Sequence, residues 1–531
     1  MVNVSQAWVD AHKQTLLPEM HIEITYNVTD PGIQEDATTS ANDDAWFATT
    51  EEITNGLAKS SDKYGTLELG VWGLDGTFNY LDNVDDFGFV SGAVTNLNTS
   101  FTTPPVITIT FDQMRLTRIP GLTITWSKAF NEWASSFQVT AWSNGVPVAQ
   151  KLVSDNKSVT SSVELSMESY DQITIEIFKW CLPNHRVRCE NITLGLASVY
   201  TKDDLMGFSH SQSADLLSAT LPKNEITFKL RNDNQQWNPD NPTGVEQYLL
   251  ERQEVTVRYG LTIGESIEWI DGGTFWLSEW STPANGIETS FTARDLIEFM
   301  DEEYTGVLSG TLYDIAVAAF RQANLPTTNN GSQRYFVHTV LKDYTTTIES
   351  GYSISDVLQM VAHAGNCVMY QDRKGVMRIE PWSEKYSGYL IDQNVAFSHP
   401  EYTMNKPMKA VSVGYGDDQR VVVTVGNNGS VQTVDNPMLL TENDAMRVAN
   451  RTVKMLSDRK VISGEYRADV RMDALDPIIV TSKYASNIIA VTDVEYSTTG
   501  GAMRGRYTGR VVSIRLEPEL RYAGELYAGE V

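Results

Sequence analysis

The chain has 531 residues, room for several domains of about 100–200 residues each, and a hydrophobic content of 41% that can fill sizeable cores. A net charge of −27 argues against a surface built to grip nucleic acid, because affinity for phosphate comes from Lys and Arg. The same acidity either keeps an assembly component soluble or lets a polyanion pass without sticking, and composition leaves both open.

Residues 1–19 read as a short helix ending near Pro18, with neither the basic start nor the apolar stretch of a secretory signal. Met20 to Tyr26, MHIEITY, alternates as a strand does. Residues 30–62 are polar. From Tyr64 to Gly195 short strands are punctuated by Gly, Pro and Asn, the pattern of an all-β sandwich. After Gly195 the chain turns to longer strands. Ile226, Phe228 and Leu230 fall on one face of the first, with Thr227, Lys229 and Arg231 on the other. Asn232 to Pro242 is loop chemistry. Val255, Val257 and Tyr259 mark a second strand, Phe275, Leu277 and Trp280 a third, and Phe291 and Ala293 a fourth; a short helix starts at Arg294-Asp295-Leu296.

Residues 306–395 are mixed α/β: Leu312, Ile315, Ala316, Ala319 and Phe320 recur at helical spacing, as do Ile354, Val357, Leu358 and Val361 behind a Ser353 cap. A hairpin follows around Asp372–Gly375. Residues 396–517 return to strands around one long helix, Glu442 to Arg459, opened by a Thr441/Asp444 capping box. No apolar run reaches about 18 residues, so neither a membrane-spanning helix nor lipid-membrane binding is expected. The last residues repeat Tyr-Ala-Gly-Glu, a docking tail or a frayed end.

The order of elements from Asp203 to Phe299, with the strand at Met20 and the β block after 396, resembles the tail hub or baseplate hub (tail-tip) family of tailed phages, close to the minor structural proteins of phages of Gram-positive hosts. Residues 50–199, through TLELGVWGLDG, ITITF, GLTITW and above all the Ile173–Gly195 hairpin, resemble the discoidin (coagulation-factor C-type) galactose-binding jelly roll. The expected fold is mainly β with α+β parts: two tube-forming, barrel-like hub domains, an intervening α/β domain and an inserted sandwich. The expected units are 1–49 (first hub domain, N-terminal part), 50–199 (jelly roll), 200–305 (first hub domain, continued), 306–395 (small α/β domain), 396–517 (second hub domain) and 518–531 (docking tail).

The resemblance implies a homotrimer closing the distal tail tube of a virion and forming the DNA exit channel. Its partners would be tail tube and distal tail proteins, a tape measure protein, tip fibres or receptor-binding proteins, a host cell-surface glycan, and DNA that passes without specific binding. Assembly in the host bacterial cytoplasm fits reduced thiols at Cys181, Cys189 and Cys367, which lack CxxC spacing, although Cys181 and Cys189 flank one hairpin tip. The alternative is a carbohydrate-binding adhesin.

The seven His are scattered, with no HExxH, nucleophile elbow or phosphate loop in the chain, so no enzyme and no cofactor is expected. A sugar site needs an aromatic face with polar groups at its edge. Trp72, Tyr80, Trp133, Asn184, His185 and Arg186 are the candidates, the last three at a hairpin tip expected to be exposed. Trp126, alternating with Ile124, reads as core, and Trp180 does too. The jelly-roll family often braces its loops with Ca²⁺, for which Asp75 is the candidate ligand.

Overall fold

In the computed structural model the described residues lie between 2 and 513; the longest stretches outside them are 30–35, 55–67, 69–87, 242–251 and 327–331. The candidates Trp72, Asp75 and Tyr80 and the segment 518–531 therefore lie outside the described residues.

One thirteen-stranded sheet dominates. Its strands are β1 (Met20–Thr29), β2 (Gly195–Tyr200), β3 (Leu205–Ser213), β4 (Lys223–Arg231), β5 (Glu254–Ile263), β6 (Ser266–Ser281), β7 (Glu288–Arg294), β8 (Leu390–Ile391), β9 (Glu401–Met404), β10 (Lys460–Arg467), β11 (Pro477–Thr481), β12 (Ser486–Thr499) and β13 (Ala502–Val511). They run in the order β2-β1-β5-β6-β7-β4-β3-β12-β13-β10-β9, with β11 also pairing β12 and β8 pairing β11. The expected strands are all present, and alternation sets their faces: Ile226, Phe228 and Leu230 are buried along β4.

The two β blocks join edge to edge where β3 pairs β12, from Phe208↔Thr498 to Ser213↔Asp493. A single apolar cluster runs beneath the seam, from Ile226, Phe228 and Phe291 to Ile462, Tyr496 and Tyr507. Helix α1 (Gln6–His12) drops Trp8 into the same core.

The sandwich interrupts this sheet between β1 and β2. Thr29 and Gly195 are paired neighbours, so the chain leaves and returns at one place. Its exchange points differ from the expected 50 and 199: Ala37–Ala41 already pairs Val106–Arg115 in the sandwich, whereas Gly195–Tyr200 belongs to the large sheet. A polar run conceals the early strand, because ATTSA carries little apolar signal. A five-stranded and a four-stranded sheet face each other across a core in which Trp126 meets Phe137 at 5.2 Å and Trp180 at 5.8 Å.

The α/β block contains α2 (Leu312–Gln322) and α3 (Ile354–Ala364), both opened by Thr or Ser capping boxes with Asp at the third position. The long helix α4 (Glu442–Leu456) was expected inside the second β block. It packs elsewhere: with the three-stranded sheet around Met408–Tyr415, it joins the α/β core, where Val411, Val413, Ala445 and Val448 meet Ile315, Ile354 and Leu358. An apolar helix stripe specifies burial but not which core receives it.

Candidate functional site

The large sheet has two unlike faces. One covers the common core; the other carries polar side chains without interruption across the β3–β12 seam. Along β3 the outward positions are Ser209, Ser211 and Ser213, alternating with buried Phe208, His210 and Gln212. Ser211 stands opposite Glu495 on β12 and Glu225 on β4; Ser209 stands opposite Ser497 and Thr227. The rows continue outward, Glu495 to Arg506 and Glu465 on one side, Glu225 to Arg294 on the other. Six strands, β10-β13-β12-β3-β4-β7, share this face, which at about 4.8 Å per strand spacing is about 24 Å wide. Beyond β7 the α/β block covers the Trp276 end of β6: Arg334 lies 5.2 Å from the Trp276 ring and pairs with Glu254 at 2.5 Å.

Beside this face the blocks are locked together. Arg373, on the hairpin between Val368–Gln371 and Met377–Glu380, donates to both Asp473 oxygens at 3.0 Å and to the carbonyls of Asp271 at 2.7 Å and Val470 at 2.6 Å. It thus touches both β blocks from the α/β block. A cleft of about 810 Å³ opens here, lined among others by Gln212, Asn224, Asp295, Arg373 and Trp382. Burial pushes the Asp295 carboxyl up to about 7, although it accepts from the Asn224 and Ile297 N–H groups. Burial holds the His210 imidazole down at about 4, between the Tyr259 hydroxyl and the Asn224 side-chain oxygen, each at 2.8 Å.

The loop end of the sandwich differs from expectation. The 184–186 hairpin tip is covered by the 95–99 turn: the Asn184 N–H donates to the Thr95 carbonyl at 3.0 Å. His185 is buried, with Nδ1 at 2.8 Å from Glu132, whose other oxygen accepts from the Trp180 indole at 2.7 Å. The Arg186 guanidinium donates inward to the Ser91 carbonyl at 2.7 Å. Trp133 is half-buried against the sandwich core, and Trp126 and Trp180 are fully buried. Cys181 and Cys189 are free thiols, and burial pushes both upward. Sequence reading missed the strongest ion pair here, Arg188 to Glu68 at 2.8 and 2.7 Å; both side chains are buried and lie 120 residues apart, so no local spacing announces them. Apolar side chains stand open at this end, Leu97 at 82% and Leu182 at 41% exposure, beside exposed Asn96 and Asn98. Among the described residues no cluster of His, Cys, Asp and Glu is arranged to hold a metal.

The architecture is therefore a mainly β chain: two β blocks fused through one sheet, an α/β block on its flank and a jelly-roll sandwich inserted at its edge. No protein-family model and no curated protein matches the sequence. Solved structures do. A 43 kDa tail protein of prophage MuSo2 from Shewanella oneidensis is 12% identical, with a TM-score of 0.41 over 59% of this chain and 94% of its own. A tail protein from Neisseria meningitidis is 10% identical, with a TM-score of 0.42 over 60% of this chain and 94% of its own. A family 32 carbohydrate-binding module of NanJ from C. perfringens, solved with galactose, is 13% identical, with a TM-score of 0.20 over 33% of this chain and 99% of its own.

Proposed function

We propose that the chain is a structural tail hub protein of a phage or phage-like particle, a non-enzymatic ring component at the distal end of the tail tube. The observation that carries this reading is the polar sheet face crossing the seam of the two β blocks without a break. A sheet sealed by core on one side and open and hydrophilic on the other suits the wall of a water-filled passage. Two fused blocks per subunit would let three copies present six such walls, and a homotrimer closes as a ring by symmetry. Tail tube, distal tail, tape measure and tip proteins would then be its partners, with DNA leaving through the centre. Cryo-electron microscopy of tail particles tests the reading: a threefold ring at the distal tip with the Ser209–Ser211 face inward is the expected result. A peripheral position, or that face turned outward, would remove it.

The sandwich adds a second role in this reading, attachment to a host glycan. Its loop end offers Trp133, Asn184 and the apolar Leu97 and Leu182 to a ligand, while His185 and Arg186 act by holding the loops. Ca²⁺ at Asp75 belongs to the same proposal. Trp133→Ala in the full chain is expected to abolish signal on an array of cell-wall glycans; an array on which the parent chain is also blank would count against glycan attachment.

A further inference from the structure

The polar face holds its charges in a particular arrangement. Arg506 on β13 lies between Glu465 at 2.9 Å on β10 and Glu495 at 4.0 Å on β12. Arg294 on β7 lies between Glu225 at 3.0 Å on β4 and Glu279 at 2.7 Å on β6, with Glu298 as a third carboxylate at 3.6 Å. Each arginine is thus flanked by carboxylates from both neighbouring strands. The outer groups stand in solvent, Arg506 and Glu279 each 65% exposed, whereas Arg294 is 36% and Glu225 18% exposed. Exposed pairs add little stability, so stability gives little reason for two or more carboxylates per arginine. An uncovered arginine on an open sheet, by contrast, is a phosphate-binding group.

We infer that Glu225, Glu279, Glu298, Glu465 and Glu495 mask Arg294 and Arg506 from the phosphates of double-stranded DNA, so that a polyanion slides over this face without being held. The inference rests on the hub reading for its biological setting, but the masking itself is a property of the isolated chain.

The test uses the full-length chain and a fluorescently labelled duplex DNA. The variant E225Q/E279Q/E298Q/E465Q/E495Q removes five negative charges, which takes the net charge from −27 to −22. A control, E164Q/E168Q/E303Q/E349Q/E442Q, removes five carboxylates at exposed positions off the large sheet. The parent and the control are expected to leave the DNA free. The masking variant is expected to bind it with a log–log salt slope of about −3, from Arg294, Arg506 and Lys223, which also pairs with Glu225, at about −0.9 each. Adding K223Q/R294Q/R506Q should abolish that binding. A masking variant that binds no better than the control, at an unchanged Tm, would overturn the inference and leave the hub reading to the imaging experiment. Imaging that turns this face outward would remove the hub reading while a positive binding result kept the masking.

Discussion

His210, Asn224 and Asp295 form a buried chain in which one residue serves two titrating neighbours: Asn224 offers its side-chain oxygen to His210 and its N–H to Asp295. Their effects on stability oppose each other. His210 titrates near 4 when folded and near 6.5 when unfolded, so between these values only the unfolded chain takes up the proton. Its contribution is complete above about pH 6.5 and is lost as pH falls, by on the order of 3 kcal/mol in total. Asp295 titrates near 7 when folded and near 3.8 when unfolded, so there the folded chain holds the extra proton, and stability falls as pH rises through that window. The two slopes cancel over most of pH 4 to 6.5. Asp295→Asn removes one of them. The variant's Tm is expected to climb with pH across this range more steeply than the parent's; parallel curves for the two chains would contradict the cancellation. Nearby, Arg373→Ala should lower stability by about 3–5 kcal/mol, because Asp473 and two carbonyls lose a buried charged donor. Arg373→Lys should recover little of that loss, since an ammonium cannot span the same fork of acceptors; shifts in the urea unfolding midpoint measure both.

Elements were legible where periodicity and caps agree. The Thr441 hydroxyl accepts from the Asp444 N–H while the Asp444 carboxylate accepts from the Thr441 N–H, as the capping box anticipated. Thr441→Ala is expected to cost about 1 kcal/mol, read as a lowered unfolding midpoint of the α/β block. Destination was less legible than type. The stripe Ala445, Val448, Ala449 and Thr452 identifies the buried side of α4, but only the register of the 408–434 sheet brings it to the α/β core. The polar face was half legible: Thr227, Lys229 and Arg231 were readable on one strand, whereas their continuation through Ser211 to Glu495 depends on pairing across some 280 residues. At the sandwich tip, residue type suggested ligand contacts at His185 and Arg186. Their acceptors, Glu132 and the carbonyl of Ser91 in the strand Phe89–Val94, are far away in sequence and turn both residues inward.

At the scale of the whole molecule, the sandwich is an insertion whose removal should leave the rest intact. Its two ends meet at Thr29 and Gly195, directly opposite each other on adjacent antiparallel strands. A hairpin loop of about two to five residues bridges such a pair without disturbing register. The sandwich core, built around Trp126, Phe137 and Trp180, shares no residue with the core beneath the large sheet. A hydrogen bond does cross, from the Thr123 hydroxyl to the Gly195 carbonyl, and removing the sandwich exposes that carbonyl to water rather than burying it unpaired. Replacing residues 30–194 with a Gly/Ser turn is therefore expected to give a soluble chain. By calorimetry it should lose one unfolding transition and retain the other at nearly its original temperature. If assembly depends on the large sheet alone, the shortened chain should still form the same oligomer as the full chain by sedimentation. Loss of the remaining transition would show that the sandwich supports the β1–β2 edge, and loss of the oligomer alone would place a subunit contact on the sandwich and move the ring interface away from the fused β blocks.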